Sequence, residues 1–211
     1  IRMRAFYRNF LKRFLDVIVA ITLGIFLIVP LFFVAILVKI TSKGPIFFKQ
    51  ERFGLNSKPF TLYKFRSMTD GAPIKANSEF EDITSYVTPF GMFIRKTSID
   101  ELPQLLNIIK GDMSFIGPRP LAITDEKVLA LRKKSGADQV RPGISGLAQV
   151  NGRNNITDEN KAAYDAKYAS RLSLQLDIVL LVETLISVIK RDGIFKTEQL
   201  GDFDKDTVNN D

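Results

Sequence analysis

The sequence predicts a mainly helical α+β fold: an N-terminal re-entrant membrane helix broken at Pro30, a small β-hairpin, and amphipathic helices at the membrane surface. Three observations predict it. Val17 to Val38 runs for roughly 22 residues without a charge, long enough to enter a bilayer, and Pro30 lies well inside it. Two short runs rich in Phe, Ile, Thr and Tyr, Pro45 to Gln50 and Pro59 to Arg66, flank the turn residues Gly54 to Lys58. Leu172 to Lys190 has a broad apolar side (Leu176, Val179, Leu180, Ile186, Ile189) and a narrow polar edge of Asp177, Glu183 and Lys190.

The anchor is read as re-entrant because of its proline and its flanks. Pro30 removes a backbone donor and its ring meets the carbonyl of Phe26, so a kink or break is expected there. Before the segment come Arg2, Arg4, Arg8, Lys12 and Arg13; after it come Lys39, Lys43, Lys49 and Arg52. Positive flanks prefer the cytoplasm, and a simple span must export one of them. A helix that enters, breaks at Pro30 and returns exports neither. The apolar run is too long for a cleaved signal peptide, and no small-residue cleavage site follows it. Asp16 is placed to pair with Lys12 or Arg13 at headgroup level.

The remaining elements follow in order. Residues 70–84 are polar and aperiodic, a loop. Thr88 to Lys96 is a short helix or an irregular entry to the next segment. Leu102 to Ile109 is an apolar helix that Gly111 ends, and Ala122 to Lys134 is helical. Within Arg141 to Arg153, the turn residues Pro142, Gly143, Gly146 and Gly152 enclose a brief strand, Leu147 to Val150. Thr157 starts another helix, with Asp158 and Glu159 favourable in its first turn. The final helix can close a core, the reading its pattern favours, or lie along a membrane. These elements divide into an anchoring helix (1–40), a folded domain (41–200) and a flexible acidic tail (201–211).

Composition removes whole classes of chemistry. The chain has 211 residues, a net charge of +7, and neither histidine nor cysteine. Disulfides, Cys/His zinc sites, Ser-His-Asp triads and cysteine nucleophiles are excluded, and any metal must be a hard ion held by oxygens. The positive balance favours anionic partners. There is no P-loop and no Gly-x-Gly-x-x-Gly fingerprint. No nucleic-acid partner is expected, because the aromatics are mostly Phe in apolar settings and not on a basic strand face.

The chemistry concentrates between Arg95 and Pro120. Asp100 and Glu101 stand side by side where a helix should begin. Asp100 can serve as N-cap, Ser98 with Glu101 fits a capping box, and Pro103 is harmless in a first turn. Adjacent helical positions diverge by about 100°, so the two acids suit divided roles better than a pair facing across one bond. In Gly117-Pro118-Arg119-Pro120, two prolines fix the backbone around a guanidinium whose planar fork matches phosphate oxygens. Lys64 and Arg66 share one side of a strand, where they bind phosphate or face solvent. Arg141 and Arg153 flank glycine-rich loops suited to close approach of a ligand.

Four stretches together resemble a known family. They are Tyr63-Lys64-Phe65-Arg66-Ser67-Met68, Arg95 through Leu105 (RKTSIDELPQL), Gly117-Pro118-Arg119-Pro120, and Arg141 through Asn154 (RPGISGLAQVNGRN). Their sequence and order are similar to those of the small monotopic phosphoglycosyl transferases of bacteria, the bacterial sugar transferase family, over almost the whole chain. The resemblance implies transfer of a sugar-1-phosphate from a UDP-sugar to undecaprenyl phosphate, with release of UMP and initiation of glycoconjugate assembly. It implies Asp100 as the nucleophile forming a phosphosugar intermediate, Glu101 assisting with a proton or the metal, and Mg²⁺ as cofactor near Asp100 and Glu101. Arg95 and Arg119 are carried over as phosphate ligands, with Lys64 and Arg66 beside them. Arg141, Gln149, Asn151 and Arg153 fall at the nucleotide end. An N-acetylated donor sugar is suggested by Asn151 to Asn154. The implied location is the cytoplasmic face of the bacterial inner membrane, with residues 41–200 as the catalytic domain. Oligomeric state stays open, a homodimer among the options. Where the family's anchor breaks at a Ser-Pro pair, this chain has Val29-Pro30. The competing non-catalytic reading is a basic membrane-surface adaptor that binds anionic lipid through Arg95, Arg119 and Arg141.

Overall fold

The computed structural model describes residues 6–73, 84–152 and 156–190. A π-helical turn, Tyr7–Leu11, leads into α1, Lys12–Thr41. The hairpin follows as β1, Phe47–Phe53, and β2, Pro59–Phe65, paired antiparallel with Phe48 opposite Lys64 and Arg52 opposite Phe60. Next come α2, Pro89–Lys96, a 3₁₀ turn at Ile99–Gln104, and α3, Leu105–Lys110. Strand β3, Ser114–Ile116, is followed by α4, Glu126–Ser135, then β4, Gly143–Ser145, and the single turn α5, Leu147–Val150. Helices α6, Asp158–Arg171, and α7, Leu174–Lys190, complete the described chain. The expected mainly helical α+β class, with its small antiparallel hairpin, is what the structure shows.

Helix α1 corrects one expectation. It runs through Pro30 without interruption, so the anticipated break is not a break in the helix. The reason lies in its packing. Ala20 and Leu27, before the proline, pack with Leu62, Leu105, Ile108 and Met113. Leu31, Val34, Ala35 and Val38, beyond it, pack with Phe65 and Ile94. Both halves are held against the same domain, and that contact outweighs the one backbone donor a proline removes. The outer face remains apolar and exposed, with Ile25 at 67%, Phe26 at 76% and Ile28 at 66%.

The base of α1 is tied down by polar contacts. Asp16 is buried within the protein and accepts from the Phe115 amide at 3.3 Å. Lys12 reaches Asp177 on α7 at 2.5 Å. Tyr7 Oη and Tyr168 Oη also donate to Asp177, at 2.6 and 2.7 Å. Asp177 thus leaves the expected polar edge of the last helix and becomes a buried hub. Leu180 of α7 enters the core, while Ile178, Val182 and Leu185 stay exposed, so the helix both closes the domain and shows an apolar side outward.

A second correction concerns residues 141–153. The strand is Gly143–Ser145, pairing in parallel with β3, and Leu147–Val150 is a helical turn. Backbone proximity explains this: a Cβ on Gly143 would lie 2.1 Å from the Gly117 amide nitrogen. Only glycine lets the two strands meet there.

Candidate active site

Asp100 is placed by a strained turn. Helix α2 is capped by Thr88, whose hydroxyl accepts from Gly91 N at 2.9 Å, and it ends at Lys96. Ser98 then adopts φ +57°, the left-handed region, and Glu101 N bonds to Ser98 O at 3.2 Å. Left-handed backbone at a non-glycine residue is uncommon and concentrates at functional turns. It also removes the expected caps. Ser98 occupies the capping position but makes no side-chain cap bond, and Asp100 already lies inside the 3₁₀ turn. A capping residue needs extended backbone to aim its oxygen at the next amides, which Ser98 lacks. Gly111 ends α3 as expected, with φ +98°.

In a 3₁₀ turn consecutive side chains diverge by about 120°. Asp100 is buried at 9% exposure, while Glu101 reaches outward to Lys64 of β2, with Glu101 Oε1 at 2.6 Å from Lys64 Nζ. Arg95, from the last turn of α2, feels both acids: burial pushes its pKa down, and Asp100 and Glu101 push it back up. Burial raises the Asp100 carboxyl to about 6, with Lys64 and Arg95 opposing and Glu101 reinforcing the rise. Four predicted residues, Asp100, Glu101, Lys64 and Arg95, therefore form one electrostatic group. A buried carboxylate held just below neutrality between two cations is primed to be ionised yet poorly solvated, as a nucleophile requires.

Arg119 is exposed between two buried prolines. Because prolines donate nothing, the loop is held by its carbonyls. Gly143 N binds Pro118 O at 2.9 Å, Arg132 Nη1 binds Arg119 O at 2.8 Å, and Phe53 N binds Leu121 O at 2.8 Å. Arg132 is itself fixed by Asp165, 1% exposed, through Nε at 2.8 Å and Nη2 at 2.7 Å. Sequence reading missed this pair. The available signal was that Arg132 lies four residues after the core residue Val128 on α4 and so shares its inward face.

The other predicted residues go elsewhere. Arg66 is buried at the exit of α1, donating to Ser42 O at 2.6 Å; its Nε and Nη1 have no partner among the described residues. Arg141 donates to Gly111 O at 3.0 Å, at the C-terminal end of α3, the end opposite Asp100. That bond helps to terminate the helix, where carbonyls lack partners and attract a cation. Gln149 is buried with neither amide atom bonded among the described residues. It lies at the root of the Pro-Arg-Pro loop: a Cβ on Gly146 would meet Gln149 Oε1 at 3.0 Å and Gly117 O at 2.0 Å. Asn151 donates through Nδ2 to Leu147 O at 2.8 Å. Arg153 and residues 201–211 lie outside the described residues.

Two acids meet the requirement for a hard metal. The described residues hold no cluster of three or more metal-binding side chains, but Mg²⁺ is commonly held by one or two carboxylates and completed by substrate phosphates. Asp100 and Glu101 each offer a carboxylate of that kind, on side chains that point apart.

Comparison with known proteins identifies the family. The family model described as bacterial sugar transferase matches residues 7–191. The chain is 44% identical over 190 residues to the uncharacterized sugar transferase EpsL of Bacillus subtilis, covering 90% of this chain and 93% of that protein. It is 40% identical to a UDP-glucose:undecaprenyl-phosphate glucose-1-phosphate transferase of Klebsiella pneumoniae, over 82% of this chain but only 39% of that longer protein. A Caulobacter vibrioides protein of the same name is 36% identical, over 87% of this chain and 72% of its own length. Matched along nearly its whole described length, the chain belongs to the bacterial sugar transferase family.

Proposed function

We propose that the chain transfers a sugar-1-phosphate from a UDP-sugar to undecaprenyl phosphate, giving undecaprenyl-diphosphate-sugar and UMP, and so initiates glycoconjugate assembly. The observation that carries this is the buried Asp100, raised to about 6 and set among Lys64, Arg95 and Glu101. An Asp100 carboxylate oxygen attacks the phosphorus that bears the sugar. The bond to the bridging oxygen breaks, and UMP leaves with its electron pair. A phosphate oxygen of undecaprenyl phosphate then attacks the same phosphorus, and the Asp100 carboxylate is released. Dividing the transfer in two means that donor and lipid need not be bound together. Lys64 and Arg95 offset the repulsion between a carboxylate and an anionic diphosphate. Mg²⁺, held through an Asp100 or a Glu101 oxygen, would supply further charge compensation when bound. Glu101, turned away from Asp100 and paired with Lys64, is free of the attack and suited to proton or metal duty.

The donor sugar is the finer question. The relatives' names specify glucose or galactose, whereas the Asn151 to Asn154 likeness suggests an N-acetylated sugar. A panel containing both kinds of UDP-sugar, assayed with undecaprenyl phosphate for UMP release, tests the proposal; no UMP from any donor would leave the lipid-binding adaptor as the better reading.

The acid side of the rate profile provides a second check. Only ionised Asp100 attacks, so kcat/KM should fall tenfold per pH unit below about 6. Lys64→Met removes the largest influence holding that value down and should move the limb upward; Glu101→Gln removes a like charge and should move it downward. An acid limb indifferent to both substitutions would count against Asp100 as the titrating group.

For the anchor, we infer a monotopic arrangement on the cytoplasmic face. Both halves of α1 pack on one domain, and Arg8, Lys12, Lys39 and Lys43 flank its apolar run. Single cysteines at positions 8 and 43, in a chain with no native cysteine, should both react from the cytoplasmic side only. Labelling from opposite sides would require a span.

A further inference from the structure

Resting on that function, we propose that Arg52 is a second phosphate-binding residue, forming with Arg119 a two-guanidinium clamp for the phosphate of the uridine nucleotide. Arg52 lies on the inward face of β1, and residues 52 to 54 run beside the end of the Pro-Arg-Pro loop. Phe53 and Leu121 form an antiparallel bridge, and Arg52 Nη1 lies 3.5 Å from Pro120 O, the carbonyl directly after Arg119. Gln50 Oε1 accepts from Arg52 Nε at 3.0 Å and from Nη2 at 2.5 Å, which fixes the plane of the guanidinium. Arg119 extends from the adjoining backbone, is exposed, and has its carbonyl locked by Arg132.

Arg52 and Arg119, carried on adjoining backbones, repel one another unless an anion lies between them. Burial and then the neighbouring Arg119 both lower the Arg52 pKa, while Asp125 opposes them. Asp125 cannot serve fully as counterion, because its Oδ2 already accepts from Ala122 N at 2.7 Å. Each nitrogen bonded to Gln50 or Pro120 uses one proton, so Nη1 and Nη2 each keep a second N–H to offer. A phosphate dianion accepts such forks from two guanidiniums at once.

Position favours the nucleotide phosphate. Lys64 and Arg52 share one face of the hairpin, and their register positions, opposite Phe48 and at Arg52 itself, are four residues apart on β1, about 13 Å along the strand. Lys64 marks the Asp100 end, where the sugar-bearing phosphate must sit. Arg52 Nε and Nη2 face Gln50, which lies between the two register positions. The long Lys64 and Arg52 side chains can therefore converge on the two adjoining phosphates of one diphosphate, Arg52 on that of the departing UMP.

The test is binding to the full chain in nanodiscs, read by ligand-observed NMR, with UMP and with uridine. Arg52→Gln should weaken UMP at least tenfold and leave uridine unchanged. Arg52→Lys, which keeps a charge in place, should lose only several-fold for UMP, and it carries the same comparison if Arg52→Gln does not fold. Equal loss for UMP and uridine would mean that Arg52 only supports the loop, and unchanged UMP binding would mean that it does not touch the ligand; either overturns the proposal. Undecaprenyl phosphate in the same nanodiscs provides the other arm: loss confined to the lipid would assign the clamp to the acceptor and overturn the nucleotide assignment. None of these readouts depends on turnover, so the clamp can fail while Asp100 chemistry stands, and the reverse.

Discussion

Asp100→Asn is expected to abolish UMP release, lowering turnover by about four orders of magnitude or more, and at the same time to stabilise the protein. The first effect follows from removing a nucleophile, for which amide oxygen is no substitute; losses of this size accompany nucleophile removal in covalent enzymes. The second follows from burial. The folded-state value of Asp100 is about 6 against an ordinary 3.8. For an acid raised on folding, the penalty is absent below the unfolded value, grows as pH rises, and is complete above the folded value. At pH 8 the ionised carboxylate thus costs on the order of 3 kcal/mol, at most, by linkage. The variant should melt several degrees higher than wild type at pH 8, and that advantage should vanish near pH 4. A labelled sugar-phosphate donor given without lipid acceptor should mark the wild-type chain covalently and leave the variant unmarked. Retained turnover, or labelling of the variant, would end the case for Asp100.

That pairing of lost activity with gained stability separates a catalytic carboxylate from a structural one, and it shows what the sequence could reveal. Asp100 and Glu101 were legible as an acidic pair before Pro103. Lys64, two residues from an arginine on an alternating strand, could equally have faced solvent, and Lys64 and Arg95 gained their roles through the family resemblance. The hairpin was legible because Gly54 to Lys58 separates two β-rich runs. Strands β3 and β4 were not. Each has three residues, and they pair in parallel across a gap that only Gly117 and Gly143 permit, so local pattern shows turn residues and nothing more. Arg141 was singled out for its glycine neighbours; its bond to the end of α3, thirty residues away, is one that no local rule identifies. Arg52 was counted as a flanking charge, since its meaning depends on Leu121 folding back beside Phe53. Pro30 shows the opposite error. A local rule predicted a break, and long-range packing on both sides of the proline overrode it.

Asp177 is the extreme case of a residue whose role is invisible locally, and its removal should be the most destabilising single change. On α7 it reads as one polar edge position. In the fold it accepts from Tyr7, Lys12 and Tyr168 with 7% of its own surface exposed. Asp177→Ala would leave a buried ammonium and two buried phenols without their acceptor, a loss of about 3–5 kcal/mol. For a chain of this size that corresponds to roughly 10 °C in melting temperature. Because Tyr7 and Lys12 form the base of the anchoring helix, the same change should loosen α1 from the domain and weaken retention in membranes. The cost arises mainly from stranded partners. Combining Asp177→Leu with Lys12→Met, Tyr7→Phe and Tyr168→Phe should therefore recover most of the melting temperature, since well-packed apolar replacements of a buried ion pair are often neutral or better. Thermal unfolding in detergent of the single and combined variants decides the matter. A single variant that loses less than about 1 kcal/mol would show that water reaches Lys12 and that the hub does not hold the anchor.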